Sequence, residues 1–121
     1  MNFADMDDFL NMPDPQDEAK VVYEIINYSR HFGFPTLHKV SSLLGVSEQQ
    51  FQRRLQSAGI NFTTLLSYVL GNLAVEYLSK HVAIDEVAYR LGYTNVASFN
   101  RMFKKNRGIT PRQFQQQIEN L

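Results

Sequence analysis

At 121 residues, 44% hydrophobic, with nine Phe and six Tyr, the chain can build one small domain or two very small ones around a modest core. No apolar run approaches the ~20 residues of a membrane span or reads as a signal-peptide core, and the lack of Cys excludes disulfides and thiolate metal sites, as suits a reducing cytoplasm. The net charge of zero is divided by position: residues 1–18 hold six acids and no Lys or Arg (−6), whereas residues 19–121 hold all 12 basic residues and six acids (+6).

Residues 1–16, with Pro13, Pro15 and scattered Phe3, Met6, Phe9, Leu10 and Met12, read as an acidic, disordered tail. Helical periodicity starts at Asp17, a possible cap for a helix carrying Val21, Val22, Ile25, Ile26 and Tyr28 near one face. Gly33 and Pro35 end it. Thr36 can cap a second, short helix (Leu37, Val40, Leu43, Leu44), which Gly45 stops. Ser47 then caps a third helix with Phe51 and Leu55 inward and Glu48, Gln49, Gln50, Gln52, Arg53, Arg54 and Gln56 outward. Two short helices joined through a Gly turn, the second rich in Gln and Arg, form a helix-turn-helix signature over 36–58.

Asn61 caps a linking helix over 62–80, apolar at Phe62, Leu65, Leu66, Val69, Leu70, Leu73, Ala74, Tyr77 and Leu78, a stripe wide enough to be buried on more than one side. Its ~19 residues span roughly 28 Å. Gly71 costs up to ~1 kcal/mol there relative to Ala and implies close packing or a bend. The first pattern then returns over 84–107. Ile84, Val87, Ala88 and Leu91 form a short helix stopped by Gly92, and Thr94 caps a helix that buries Phe99, Met102 and Phe103. Gly45 and Gly92 lie 47 residues apart, each followed by a polar helix with an Arg eight or nine positions on. This is an internal repeat. Thr110-Pro111 opens a last helix over 111–120. The expected fold is all-α, with about seven helices in 17–121 and two helix-turn-helix subdomains joined by one long helix.

These residues resemble the DNA-binding region of the AraC/XylS family of bacterial transcription regulators. The resemblance covers residues 36–116. It is strongest in IDEVAYRLGYTNVASFNRMFKKNRGITPRQF (84–114), through Val87-Ala88, Gly92-Tyr93, Ser98, Phe99, Arg101, Phe103-Lys104, Gly108, Pro111 and Phe114, and extends to VSSLLGVSEQQFQRRLQSAGINF (40–62). The chain departs from the family pattern in three ways. Leu70-Gly71 stands where members often carry an Arg, which removes a backbone contact or an ion pair or makes the helix more buried. Ala83 stands where Ser or Thr normally caps, a loss of ~1 kcal/mol. The length leaves no room for the ligand-binding or dimerisation domain of larger members.

The resemblance implies a cytoplasmic, sequence-specific DNA-binding regulator of the small stand-alone type, an activator working as a monomer on double-stranded DNA. RNA polymerase is a candidate second partner, and neither a membrane nor a cofactor is expected. The alternatives are a protein-interaction module on the same scaffold, or the C-terminal fragment of a larger ligand-responsive regulator. The helices after Ser47 and Thr94 become the recognition helices, and Arg53 and Arg101 match positions that reach base edges. Arg can pair bidentately with guanine, and Gln or Asn with adenine. Gln49, Gln50, Gln52, Asn95 and Asn100 are therefore further base-contact candidates, with a solvated or capping role as the competing reading. Val96 and Ala97 suit thymine methyls. Lys39, Arg54, Lys104, Lys105, Arg107 and Arg112 suit phosphates, as does the helix start behind Thr110. His31, His38 and His81 are scattered and no nucleophile set or phosphate loop is present, so no enzyme activity and no metal site are expected.

Overall fold

A helix that is apolar around most of its girth needs cover on several sides, and the linking segment has that composition. The structure, a computed structural model, describes the backbone of residues 15–121 and side chains from residue 20 onward. The tail reading of residues 1–14 lies outside the described residues. The elements are α1 Pro15–Ser29, a 3₁₀ turn Arg30–Phe32, α2 Leu37–Leu44, α3 Glu48–Ser57, α4 Phe62–Ser79, α5 Ile84–Arg90, α6 Val96–Arg107 and α7 Pro111–Glu119, with no strand among the described residues. α4 is the linking helix. It buries Leu66, Val69, Leu70, Leu73, Ala74 and Leu78 and packs against α1, α5, α6 and α7. α2 pairs with α3, and α5 with α6, as the two helix-turn-helix units. Ile26, Leu44 and Phe51 from the first half and Val87, Leu91, Phe99 and Phe103 from the second join α4 in one core. Each such side chain, fully buried, contributes ~1.5–3 kcal/mol.

Local chemistry sets the helix starts. Thr36 Oγ1 accepts the Lys39 amide at 3.2 Å, and Asn61 Oδ1 accepts the Thr64 amide at 2.8 Å. Ser47 with Gln50, and Thr110 with Gln113, form reciprocal capping boxes, each satisfying two otherwise orphaned amides. Ala83, extended at φ −60°, ψ 144°, gives α5 no side-chain cap.

Three expectations change. α1 begins at Pro15, so Asp17 lies inside the helix; proline suits a first turn because its missing N–H is not needed there. Tyr28 leaves the apolar face and is 54% exposed, its ring 5.1 Å from that of Phe32. Thr94 is not the cap of α6: Asn95 is, accepting the Ser98 amide at 2.8 Å. The second helix-turn-helix turn (91–95) is two residues longer than the first (45–47), and the repeat runs at 47 residues between the glycines and 48 between the caps Ser47 and Asn95.

That longer turn leans on the first half of the molecule. Gly92 has φ +92°, and a Cβ there would lie 2.7 Å from the Gly33 carbonyl oxygen and 2.9 Å from Phe34 Cα. Both the dihedral and the contact require glycine. Gly92→Ala should lower the unfolding free energy by about 2–4 kcal/mol, whereas Ala83→Ser should raise it by about 0.5–1 kcal/mol by capping α5. Urea unfolding of the two variants checks both signs.

Candidate nucleic-acid interface

In α3 the buried Phe51 and Leu55 fix the rotation of the helix about its axis. At 100° per residue, Arg53 then points directly away from the core, with Gln49 and Gln56 beside it. In α6 the buried pair is Phe99 and Phe103. Arg101 points away from it, flanked by Ala97, Lys104 and Lys105. Both arginines are exposed and each follows a buried Phe by two positions, so they hold equivalent places in the two units. One guanidinium nitrogen of Arg101 donates to Ser98 Oγ at 3.1 Å, which steadies the side chain and leaves other donors free to act.

The nine candidates for base contact separate into two groups. Gln49, Gln52, Arg53, Ala97 and Arg101 are exposed on the outer faces. The other four have structural duties or partial burial. Gln50 Oε1 accepts the Ser47 amide at 3.0 Å, and Asn95 caps α6. Val96 is half-buried against the core. Asn100 is half-buried too, its Oδ1 out of solvent and without a hydrogen-bond partner among the described residues. Gln50, Arg53, Arg54 and Ser57 together line a shallow recess of about 360 Å³ on α3.

The phosphate candidates separate similarly. Lys104, Lys105 and Arg112 are exposed. Lys104, Lys105 and Arg107 also place positive charge on the last turn of α6, where the helix dipole favours it. Arg107 donates to Asn72 Oδ1 on α4, Lys39 Nζ to the Phe32 carbonyl at 3.1 Å, and Thr110 caps α7. Arg54 is half-buried and engaged within the molecule. Among the described residues no group of three or more His, Cys, Asp or Glu gathers as a metal site, and no single helix is long and apolar enough to cross a membrane.

Sequence reasoning missed a second cluster. Arg30, His31, Tyr77, Tyr89, Arg90 and Tyr93 border a cleft of about 820 Å³ where the segment after α1 meets α4 and the second unit. Arg30 and Arg90 are 60 positions apart, beyond the reach of any local pattern. Beside them Tyr93 packs edge-on against Phe34 at 4.9 Å and lies 5.8 Å from Phe99. Burial pushes its phenol up to about 12.

A family model described as a helix-turn-helix domain matches residues 40–117. An uncharacterized HTH-type transcriptional regulator of Mycobacterium tuberculosis (strain ATCC 25618 / H37Rv) is 33% identical over 82 residues, 67% of this chain and 24% of that protein. The HTH-type transcriptional activator CfaD of Escherichia coli is 30% identical over 80 residues, 65% of this chain and 30% of its own. The chain thus spans less than a third of either relative. Among solved structures, a DNA-binding transcriptional dual regulator from Escherichia coli K-12 superposes with a TM-score of 0.74 at 25% identity, covering 83% of this chain and 90% of that one. The C-terminal domain of AraT, a response regulator from Geobacillus stearothermophilus, gives 0.68 at 32% identity, with 82% and 84% covered.

Two measurements probe the local assignments. Asn95→Ala should cost about 1 kcal/mol of stability and Asn95→Ser little, because Ser can also cap α6. Unfolded tyrosine titrates near 10, so as pH rises from 10 toward 12 the unfolded chain gives up a proton that folded Tyr93 keeps. Unfolding free energy should hold below pH 10 and fall above it, and Tyr93→Phe should flatten that fall in urea titrations at pH 9 and 11.

Proposed function

Because the chain belongs to the AraC-type helix-turn-helix transcription regulators, we propose that it binds specific sites on double-stranded DNA as a monomer, with α3 and α6 in successive major grooves, and activates transcription. The observation that carries this reading is the equivalence of Arg53 and Arg101, each directly opposite the buried apolar pair of a polar-faced helix. An Arg projecting from a helix in the major groove can take the O6 and N7 of guanine together. Gln49 and Gln52 can read adenine, and Ala97 a thymine methyl. Lys104, Lys105 and Arg112 add sequence-independent affinity through phosphates. Lys39, Arg54, Arg107 and Thr110 reach phosphates only while sharing or leaving their present partners, so they rank second.

The 18 residues of α4 span about 27 Å against the ~34 Å of one DNA turn. A DNA bend toward the protein makes up the difference, and its sequence-dependent cost adds specificity at untouched positions. Bacterial DNA places the protein in the cytoplasm. RNA polymerase is the partner through which a bound activator acts.

Random-site selection tests the proposal: a single enriched, non-palindromic site is expected, and no enrichment overturns it. Arg53→Ala and Arg101→Ala should each relax a different half of that site, at about 1–3 kcal/mol. Lys105→Ala should weaken all sequences alike and reduce the salt slope by about 1.

A further inference from the structure

α4 joins the two units covalently and through one shared core, whose apolar contacts are non-directional. The chain turns by 82° between α3 and α4, and α4 reaches α5 through a link in which His81 takes φ 62°. A directional polar contact between the halves adds to that packing a fixed relative orientation of the recognition helices.

Arg30 supplies it. The residue follows α1 in the first half, is 7% exposed, and divides its donors among three partners. Nε donates to Asn27 Oδ1 at 2.8 Å, one terminal nitrogen to the Tyr77 hydroxyl of α4 at 2.6 Å, and the other to the backbone carbonyl of Arg90. Arg90 ends α5, so its carbonyl is one that the helix leaves unpaired, at the end where positive charge is favourable. The guanidinium groups of Arg30 and Arg90 lie 5.4 and 5.3 Å from the Tyr77 ring centre, and Glu86 at 3.0 Å balances Arg90. Next to this point the Gly33–Phe34 backbone rests on Gly92, and Phe34 on Tyr93, in the turn that leads into α6. One buried planar fork therefore ties α1, α4 and α5 into a closed triangle.

We infer that Arg30 is a positioning residue for DNA recognition: it locks the second helix-turn-helix unit against α1, on which α2 of the first unit packs, and so sets the half-site spacing the protein accepts. The inference rests on the two-helix reading above. Arg30 itself touches no base in this account. A purely stabilising Arg30 would, on removal, weaken every site equally. A brace would, on removal, leave single half-sites alone and blunt the preference for one spacing.

The chain has no Cys, so Gln52→Cys and Lys105→Cys accept a pair of spin labels on the exposed faces of α3 and α6 without competing thiols. In the full chain, free of DNA, the label distance should be one narrow distribution, and Arg30→Met and Tyr77→Phe should broaden it. In binding assays on the selected site and on versions with one or two base pairs added between its halves, Arg30→Met should bind the natural spacing roughly tenfold more weakly. It should also discriminate less among spacings and bind a site with one half scrambled as the unsubstituted protein does. An unchanged distance distribution in folded Arg30→Met, or an equal loss on every site, overturns the inference. If Arg30→Met does not fold, Tyr77→Phe, which removes one hydroxyl, decides on the same two readouts. If the unsubstituted protein ignores the second half-site, the two-helix reading fails, while the label distances still judge the brace.

Discussion

The covering of α4 governs the rest of the structure. Leu66, Val69, Leu70, Leu73, Ala74 and Leu78 are buried over more than half of its girth and leave a stripe of Thr64, Tyr68, Glu76 and Ser79 to solvent, and exposing that apolar surface costs about 25 cal/mol per Å². α1 packs on it from the first half and α5, α6 and α7 from the second. Both recognition helices commit their apolar faces to the same core, Phe51 and Leu55 from one and Phe99 and Phe103 from the other. What remains outward on each is polar, and Arg53 and Arg101 stand at its centre. The interface is thus the complement of the core, set by helical period and burial together.

The departure at Leu70-Gly71 is explained by the same constraint. Leu70 is 1% exposed, so the position serves the core and offers no surface to a protein partner. A Cβ on Gly71 would come within 2.6 Å of Asn106 Oδ1. The small residue lets the end of α6 press on α4, where Asn106 donates to the Ser67 carbonyl at 3.2 Å and Arg107 to Asn72. Of the close packing and the bend that Gly71 suggested, close packing is what these contacts describe. One terminal nitrogen of Arg107 helps seat α6 on α4, and the exposed Lys104 and Lys105 face outward.

Features with a local cause were legible in the sequence. Caps at Thr36, Ser47, Asn61 and Thr110 follow from side chains that reach amides three residues on, and the inward Phe residues follow from the helical period. Thr94 misled because Thr and Asn both cap well, and only the longer second turn selects Asn95. The same ambiguity touched the candidate site. Gln50 and Asn95 are as well suited to a base edge as to a backbone amide, and folding engages them first. Arg30 was illegible for a different reason. Its partners Tyr77 and Arg90 lie 47 and 60 residues away, and an Arg near a helix end ordinarily reads as solvated charge.

The repeat is approximate, and the differences between its halves matter for regulation on the proposed reading. α3 surrounds its arginine with Gln49, Gln52 and Gln56, whereas α6 surrounds its own with Ala97, Lys104 and Lys105. Amides read adenine and a methyl reads thymine, so the two faces call for different half-sites. A monomer with two unlike faces, held in one relative orientation by the Arg30 brace, fits its site in one direction only. A symmetric dimer on a palindrome has no such direction. On the proposed reading the bound protein meets RNA polymerase on one side of its site, which requires a fixed direction, and the unlike faces held in one relative orientation supply it.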